Sequence, residues 1–487
     1  MAIANRGEVA MRIIRACQEL GHTSILLHST PDQKTAAYRA ADETYELPGV
    51  SSLETYLNIE KVVRAAKQSE AQALHPGFGF LSENPAFAET LHQEEIIFVG
   101  PSAQSIRMAG NKIRAKELAQ KAQVPVLPAY SGNMSDQESL LKEVRKIGFP
   151  CIVKAASGGG GKGMKVVRND SEFFENLASA QREAQGAFGS SEVFIEKYLE
   201  HPRHIEVQVL FDRFGSGLHF FERDCSIQRR HQKIFEESPA LALKPQLRKE
   251  ITEAALRLAA AAKYTNAGTV EFLLDDQENF YFMELNTRLQ VEHTVTEFVC
   301  GVDLVHLQFW VAQGEKLPFA QDSVTQRGHA LEVRVYAENP LREFLPSTGF
   351  IEELRLPSGP FRRFDFGFEA GDEITPHYDP MIGKIITWAP TREENIDRML
   401  ATLNETIIFG VSTNIEFLKA VLEKENFKKN KISTRFLEDE FKGQFSLPAL
   451  THAQAEFARQ AKKRVGRQAY GVSRDTMPYS SPWTGLK

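Results

Sequence analysis

The chain has 487 residues, which at roughly 150 residues per domain suggests about three domains. Its 58 Lys and Arg against 64 Asp and Glu give a formal net charge of −6, so no bulk positive field draws the protein to nucleic acid or to an anionic membrane. The hydrophobic fraction of 42% and the charged fraction of 25% are those of an ordinary globular protein, which excludes wholesale disorder.

Residues 1–110 alternate short apolar runs with amphipathic segments, the pattern of a parallel sheet with crossover helices. Apolar residues recur at helical spacing over residues 9–20, and Gly21 follows where a helix would stop. Three apolar runs are typical of buried strands, at 24–27, 71–74 and 96–99. We predict an α/β fold here, a doubly wound Rossmann-like domain. The first turn, residues 5–8, lacks the Gly-x-Gly-x-x-Gly fingerprint, so dinucleotide binding is unsupported.

A glycine-rich segment is the first chemical signal. Predicted strands at 151–155 and 164–167 flank Ser157-Gly158-Gly159-Gly160-Gly161-Lys162-Gly163, which places this loop in a hairpin. Glycines let backbone N–H groups approach phosphate oxygens, and Lys154 adds an ammonium beside them. We favour a flap over a nucleoside triphosphate, comparable to a kinase glycine loop, over a mobile surface hairpin.

Two glutamates give the second signal. If strands at 268–275 and 279–287 form a hairpin with a four-residue loop, Glu271 lies opposite Glu284 and Asn286 shares their face. Facing like charges destabilise a sheet unless something neutralises them. Mg²⁺ takes one or two carboxylates plus substrate phosphates, so we predict a divalent metal site. The alternative is two solvated glutamates on an exposed hairpin.

The segment after this hairpin suggests a reacting centre. Arg288, Gln290 and Glu292 alternate onto one side if the chain is extended. A guanidinium that grips a small oxyanion beside a carboxylate that removes its proton is one interpretation, and a surface salt bridge is the other. His293 is better explained as a structural histidine. Residues 204–212 alternate as in a β-strand, with Ile205, Val207, Val209 and Phe211 on one face and Glu206, Gln208 and Leu210 on the other. Residues 222–233 place many cations around a short loop, a pattern that usually marks a solvated face.

The C-terminal third has a different pattern of predicted elements. Residues 326–435 predict further strands and a helix at 392–406, a mixed α+β domain, whereas the tail from 436 to 487 is basic and partly helical, with no assigned role. The four cysteines have no Cys-x-x-Cys spacing, so we expect buried free thiols in a reducing compartment. Because no run approaches the roughly 18 apolar residues of a membrane helix and no leader pattern is present, we expect a cytoplasmic protein.

Six strings together resemble biotin carboxylase, the ATP-grasp enzyme that loads carbonate onto biotin. They occur in the family's order, at residues 5–8, 75–84, 157–163, 222–233, 284–293 and 378–384. The resemblance covers about residues 1–435. It implies an N-terminal domain at 1–110, an ATP-grasp domain at 111–325 with a flap subdomain at about 128–200, and a C-terminal domain at 326–435.

The resemblance also implies the site residues. Those that would hold the ATP phosphates are Lys112, Lys154, Gly158, Gly159, Gly160, Gly161 and Gly163. Those that would line the adenosine pocket are Glu196, Lys197, Leu199, His204, Gln228, His231 and Leu273. Those that would bind about two Mg²⁺ or Mn²⁺ ions are Glu271, Glu284 and Asn286. Those that would cradle bicarbonate are Lys233, Arg288, Gln290 and the Val291 backbone.

By the same resemblance, Glu292 would deprotonate bicarbonate for attack on the γ-phosphate of ATP, which gives carboxyphosphate. Breakdown of carboxyphosphate would release CO₂ beside biotin, with the freed phosphate as base and Arg334 stabilising the biotin enolate. Phe78 stands where the family often has Tyr, so a hydroxyl near the biotin pocket is missing.

The resemblance further implies partners. Related enzymes attach biotin within Ala-Met-Lys-Met, and the only Met-Lys pair here is Met164-Lys165, so biotin would arrive on a biotin carboxyl carrier protein. A carboxyltransferase would be the second partner. Arg15 and Glu19 match dimer-interface positions and imply a homodimer, with a solvated i,i+4 pair as the alternative.

Three alternatives remain open for the function. One is another ATP-grasp ligase, such as a carbamoyl-phosphate or purine-pathway enzyme. The others are a dinucleotide-binding oxidoreductase and a non-enzymatic nucleotide-sensing scaffold. For the carboxyl acceptor, frequency alone favours an acyl-CoA, as in acetyl-CoA carboxylase of fatty acid biosynthesis.

Overall fold

The computed structural model describes residues 1–134, 136–156, 163–442 and 445. Its N-terminal part is a five-stranded parallel sheet with helices on both faces. The strands are β1 (Ala2–Ile3), β2 (Ile25–Ser29), β3 (Glu43–Leu47), β4 (Ala73–His75) and β5 (Ile97–Phe98). The helices are α1 (Gly7–Glu19), α2 (Ala36–Ala40), α3 (Ile59–Gln68), α4 (Pro85–Gln93) and α5 (Ala103–Ala109). The predicted doubly wound fold is confirmed.

The sheet order β3-β2-β1-β4-β5 brings two of the sequence strings together. Crossovers from β1 and from β4 run in opposite directions, so the crevice at the carboxyl ends of these two strands is a topological switch point. Asn5, after β1, donates from Nδ2 to the carbonyls of Pro76 and Phe78, after β4, at 2.7 Å each. Gly77 has a φ of +64°, and a Cβ there would lie 2.8 Å from Asn5 Nδ2, so this contact requires glycine.

A smaller antiparallel sheet forms the flap region. Its elements, after α6 (Lys112–Lys121), are β6 (Ala129–Tyr130), α7 (Gln137–Ile147), β7 (Cys151–Ala155), β8 (Lys165–Val167), α8 (Asp170–Phe188) and β9 (Val193–Lys197). The sheet order is β6-β9-β7-β8. Strands β7 and β8 pair antiparallel on either side of the glycine-rich segment, which confirms the predicted hairpin.

Residues 203–312 form the strands β10 (Arg203–Phe211), β11 (Gly217–Asp224), β12 (Gln228–Arg229), β13 (Gln232–Lys233), β14 (Phe235–Ser238), β15 (Asn266–Leu274) and β16 (Phe280–Asn286) and the helices α9 (Pro245–Ala261), α10 (His293–Cys300) and α11 (Leu304–Ala312). Five of these strands begin an eight-stranded sheet at the centre of the molecule, in the order β16-β15-β10-β11-β14, whereas β12 and β13 pair as a separate hairpin. The alternation of β10 is as predicted: Ile205, Val207 and Val209 pack into a core cluster, whereas Glu206 and Gln208 face the other side.

The C-terminal strands are β17 (His329–Tyr336), β18 (Glu338–Asn339), β19 (Leu345–Pro346), β20 (Gly349–Phe350), β21 (Glu353–Arg355), β22 (Arg362–Phe366), β23 (Glu373–Ile374), β24 (Met381–Ala389) and β25 (Ile407–Phe409). Of these, β17, β24 and β22 continue the eight-stranded sheet beyond β14, in that order, whereas β18 with β19, β20 with β23 and β21 with β25 form two-stranded sheets. The helices are α12 (Arg392–Glu405), α13 (Ile415–Leu422), α14 (Glu425–Lys428) and α15 (Phe436–Phe441). Residues 436–441, grouped with the tail above, thus form a helix whose Phe436 and Leu437 pack into the C-terminal core. Most of the tail lies outside the described residues.

Two further expectations concern thiols and membranes. All four cysteines are free, and Cys17, Cys151 and Cys225 are buried. Within the described ranges no single helix is long and apolar enough to cross a bilayer, although α10 and α11, bent by 98°, meet that length and composition together.

Candidate active site

The hairpin of β15 and β16 carries the predicted metal ligands. Glu271 is the direct cross-strand partner of Glu284, as predicted, and Asn286 is the partner of Thr269. Beyond Glu271 the register shifts by one residue, because a bulge adds a residue to β16. The loop therefore has five residues, 275–279, where four were predicted.

Two lysines and a histidine contact the facing glutamates. The Lys112 ammonium lies 3.2 Å from Glu284 Oε2. Lys233 Nζ donates to Glu271 Oε1 at 2.7 Å, and His204 Nε2 lies 3.1 Å from Glu271 Oε2. Burial alone would raise the pKa of Glu271, but Lys233 and His204 hold it below its usual range. The repulsion between Glu271 and Glu284, from which we predicted a cation, is thus offset by Lys112, Lys233 and His204.

The donor set also fits a divalent metal. Two carboxylates and one amide supply oxygen ligands of the kind that Mg²⁺ and Mn²⁺ prefer. The Glu284 side chain is 30% exposed, so its carboxylate is accessible to a cation that also contacts a substrate phosphate. Asn286 Nδ2 is buried and has no hydrogen-bond partner among the described residues, whereas its Oδ1 accepts from Arg288 Nη2 at 3.4 Å.

Lys233 is the hub of a carboxylate cluster. Its ammonium donates to Glu206 Oε2 at 2.5 Å, to Glu271 Oε1 at 2.7 Å and to Glu292 Oε1 at 2.8 Å. Glu206 is fully buried and also accepts from Arg223, which is itself fully buried. One ammonium therefore links the β15–β16 hairpin to the predicted base.

Arg334 binds the opposite side of Glu292. Its Nη2 donates to Glu292 Oε2 at 2.9 Å, and its Nε donates to Glu236 Oε1 at 2.7 Å. Glu236 is fully buried, and its second oxygen has no hydrogen-bond partner in the described part of the chain. The guanidinium is therefore held between two carboxylates.

Nearby lysine and arginine side chains determine the protonation state of Glu292. Burial would raise the pKa of Glu292, but Lys233, Arg334 and Arg223 hold it well below its usual range. The side chain is ionised and able to accept a proton, but it is a weak base while both cations grip it. An anion that draws Lys233 away would raise its basicity.

The loop before Glu292 adds the oxyanion groups. Arg288 Nε donates to Glu83 Oε2 at 2.9 Å, and its Nη1 donates to Gln290 Oε1 at 2.8 Å. Gln290 Nε2 contacts Glu271 Oε1 at 3.4 Å. The alternation predicted for an extended chain is wrong at its end, because Glu292 is the N-cap of α10. The contacts still bring Arg288, Gln290 and Glu292 to one pocket.

A second lysine cluster lies beside the flap. Lys154 Nζ donates to Glu196 Oε2 at 2.7 Å, and Lys116 pairs with the other oxygen of Glu196. Burial and the nearby Lys112 lower the pKa of Lys154 to about 8. Gly163 is described with a φ of +69°, whereas Gly158, Gly159, Gly160 and Gly161 lie outside the described residues.

The residues predicted to line the adenosine pocket lie in more than one group, and only Glu196 belongs to the lysine cluster. Gln228 Nε2 lies 2.8 Å from His204 Nδ1, and Leu273 is the cross-strand partner of His204, so these three form one group. Lys197, at the end of β9, donates from its side chain to Phe149 O at 3.0 Å. Leu199 follows this strand, and His231 is exposed at the tip of the β12–β13 hairpin.

Sequence reasoning missed several side chains of this site: Glu83, Lys116, Glu206 and Glu236. The alternation of β10 had placed Glu206 on the polar face, which was a usable signal. The interpretation of residues 222–233 as a solvated face is wrong at its start, since Glu222, Arg223 and Asp224 are buried. Arg223 donates to Gln208 and Thr296 at 2.9 Å each, so its guanidinium makes hydrogen bonds inside the protein and not with solvent.

Arg15 and Glu19 lie on the exposed side of α1, with side chains 42% and 58% exposed. The alternative of a mutual i,i+4 pair is wrong. Arg15 pairs with Asp365 at 3.1 Å, and Glu19 pairs with His306 at 2.9 Å.

The sheets, the flap hairpin and the paired carboxylates define an ATP-grasp protein. Family profiles match over three ranges of the chain. They describe a biotin carboxylase N-terminal domain at residues 1–106, a carbamoyl-phosphate synthase L chain ATP-binding domain at 111–320 and a biotin carboxylase C-terminal domain at 332–439. The chain belongs to the biotin carboxylase family.

Similar proteins agree with this assignment. A biotin carboxylase of Nostoc sp. is 46% identical over 437 residues, which cover 90% of this chain and 98% of the relative. The methylcrotonoyl-CoA carboxylase subunit alpha of Mus musculus is 45% identical over 89% of this chain, which spans 61% of that longer protein. The biotin carboxylase domain dimer of the Hydrogenobacter thermophilus 2-oxoglutarate carboxylase, solved with MgADP, ADP and bicarbonate, superposes with a TM-score of 0.88 at 41% identity, covering 91% of this chain and 98% of that one.

Proposed function

We propose that the protein catalyses the ATP- and bicarbonate-dependent carboxylation of biotin. The observation that carries this proposal is the Glu292 carboxylate held between Lys233 at 2.8 Å and Arg334 at 2.9 Å, beside the paired glutamates of the β15–β16 hairpin. A base, the groups that bind an oxyanion and a metal site near the ATP phosphates then lie close together, as the activation of a carboxylate by ATP requires.

ATP is bound first in the proposed scheme. Lys112, Lys154 and the flap glycines hold the phosphates, and the residues predicted for the adenosine pocket hold the nucleoside. Glu271, Glu284 and Asn286 hold Mg²⁺ or Mn²⁺, which when bound offsets charge on the β- and γ-phosphate oxygens. Closure of the flap excludes water from the reacting atoms.

Bicarbonate is then activated. Lys233, Arg288, Gln290 and the Val291 amide bind its oxygens, which draws Lys233 from Glu292 and raises the basicity of that carboxylate. Glu292 takes the bicarbonate proton, and a bicarbonate oxygen attacks the γ-phosphorus, so that carboxyphosphate forms and ADP leaves.

Carboxyphosphate breaks down to CO₂ and phosphate beside biotin. The phosphate takes the proton from biotin N1, Arg334 stabilises the enolate, and the nitrogen attacks CO₂. Arg334 is suited to this role because Glu236 keeps the guanidinium in place when Glu292 turns to its substrate. The hydroxyl absent at Phe78 weakens biotin contact without removing any group used in these steps.

A direct test compares the wild type with Glu292→Gln. We expect bicarbonate-dependent ADP release that free biotin stimulates in the wild type, and a loss of at least 100-fold in the variant with ATP binding retained, since the amide cannot take a proton. Glu253→Gln, on the exposed face of α9, is the matched control and should keep wild-type turnover. ADP release that ignores biotin would contradict the proposal and favour another ATP-grasp ligase.

We further propose the partners. Biotin arrives on a carrier protein and is not attached within residues 1–487, a carboxyltransferase consumes the carboxybiotin, and an acyl-CoA is the final acceptor. A homodimer through the exposed face of α1 and a cytoplasmic location belong to the same proposal. Co-purification and mass spectrometry of the companion chains test it, and isolation with neither a biotinylated nor a carboxyltransferase chain would contradict it.

The domain division also remains a proposal, with boundaries near residues 110, 325 and 435. Limited proteolysis with sequencing of the fragments tests these positions. Cuts near the boundaries would support the division, and cuts confined elsewhere would contradict it.

A further inference from the structure

Two sequence strings with no assigned chemistry meet beneath the bicarbonate loop. Glu8 ends the string at residues 5–8, and Lys384 ends the string at 378–384. They are 376 positions apart, yet the Lys384 ammonium lies 3.9 Å from Glu8 Oε1. Both side chains are almost completely buried, at 0% and 1% exposure. A buried charge is costly unless it is paired, so this contact calls for a reason.

The ammonium of Lys384 has a specific target. It donates a hydrogen bond to the carbonyl oxygen of Val291, the residue directly before the predicted base Glu292. In α10 the first helical carbonyl contact runs from Val295 N to Glu292 O, so the Val291 carbonyl precedes the helical ladder. Lys384 therefore gives a hydrogen bond to a carbonyl that lies outside the helical hydrogen-bond pattern.

A second carboxylate holds the ammonium from the other side. Glu332 Oε1 lies 3.9 Å from Lys384 Nζ, and Glu332 Oε2 accepts from the hydroxyl of Thr294 in the first turn of α10. Burial raises the pKa of Glu8 and of Glu332 to about 7 each. Glu8 and Glu332 thus place two carboxyl groups within 3.9 Å of the Lys384 ammonium, and Thr294 ties one of them to the first turn of α10.

We propose that Lys384 is a positioning residue for bicarbonate activation. The Val291 carbonyl and the Glu292 N–H belong to one rigid peptide plane, so anchoring that carbonyl fixes the backbone that carries the Glu292 side chain. Arg334 is the cross-strand partner of Lys384, so one strand pair carries both the cation that contacts the Glu292 carboxylate and the cation that contacts the Val291 carbonyl. This inference rests on the proposed function of the site.

The test is the variant Lys384→Met, which keeps the length of the side chain and removes the donor. A misplacement of about 1 Å can cost roughly 100-fold, so we expect kcat/KM for bicarbonate to fall by roughly 10- to 100-fold. KM for ATP should stay within about threefold, because the phosphate lysines lie on other elements. A general loss of structure would change both constants together.

The matched control is Lys419→Met. Lys419 is another buried lysine of the C-terminal core, paired with Glu416 at 2.6 Å, and it should lose stability without changing kcat/KM for bicarbonate relative to ATP. If Lys384→Met does not fold, Glu8→Gln takes its place, with the same selective loss at roughly 3- to 10-fold. Wild-type bicarbonate kinetics in either folded variant would overturn the inference. An inactive wild type would instead contradict the proposed function.

Discussion

At the scale of single residues, the site consists of cations that each serve more than one carboxylate. Lys233 contacts Glu206, Glu271 and Glu292, and Arg334 contacts Glu236 and Glu292. Such clusters are stable because every buried charge has a partner, and removing one member leaves others unpaired. Substitutions here should therefore affect neighbouring steps of the reaction together.

Glu83 offers the sharpest test among single residues. It accepts from Arg288 Nε at 2.9 Å and from the Thr287 backbone at 3.0 Å, so it aims the guanidinium at the pocket. In Glu83→Gln the paired charge is lost, and we expect kcat/KM for bicarbonate to fall about tenfold, a change of roughly 1.4 kcal/mol. Steady-state kinetics with varied bicarbonate measure it. The control is Glu89→Gln, a change at an exposed side chain of the neighbouring α4, which should leave kcat/KM for bicarbonate unchanged. Equal kinetics in the two variants would refute the role of Glu83.

At the scale of secondary-structure elements, the β15–β16 hairpin depends on cations for its facing glutamates. Replacing Glu284 by Gln removes one predicted metal ligand while the hairpin remains paired. We expect the Mg²⁺ concentration for half-maximal ADP release to rise at least tenfold, since a neutral amide is a weaker ligand for a hard cation. A titration of activity against Mg²⁺ measures this.

The control in the same hairpin is Glu278→Gln, whose exposed carboxylate pairs with Lys244 at 2.6 Å. Its Mg²⁺ requirement should be that of the wild type. An unchanged requirement in Glu284→Gln would argue against a metal at this pair.

Another interaction joins β14 to α12. Arg392 donates to both oxygens of Glu237, at 2.6 and 2.8 Å. Burial would raise the pKa of Glu237, but Arg392 holds it below its ordinary value of 4.5. The unfolded chain therefore binds the proton first, so the stabilisation is complete above pH 4.5 and is lost as the pH falls below it.

We expect Glu237→Gln to lower Tm by several degrees at pH 7, because breaking a buried pair costs about 3 kcal/mol or more. The difference from the wild type should shrink below pH 4.5. Thermal unfolding followed by circular dichroism at pH 7 and at pH 4 measures both. Glu405→Gln, at the end of α12, loses only an exposed pair with Arg362 and should change Tm little. A difference that grows at low pH would contradict the assignment.

At the scale of the whole molecule, local patterns were readable from sequence and distant contacts were not. The period-two alternation of β10 and the spacing of Glu271 and Glu284 predicted which side chains share a face, because strand geometry repeats over a few residues. The contacts Glu83–Arg288 and Glu8–Lys384 join residues 205 and 376 positions apart. No periodicity encodes such pairs. The bulge at Met283 and the N-cap at Glu292 were missed because neither residue is a type that marks such a feature: bulges are often signalled by glycine, and N-caps by Ser, Thr, Asp or Asn.

The central claim is that bicarbonate itself attacks the γ-phosphate in the pocket around Glu292. Turnover in ¹⁸O-labelled bicarbonate, with mass analysis of the released phosphate, tests it most directly. The oxygen that bonds to phosphorus stays with phosphate when carboxyphosphate releases CO₂, so the wild type should transfer one ¹⁸O atom to each phosphate. Phosphate without ¹⁸O would show that water supplied its fourth oxygen as the nucleophile and would contradict the account.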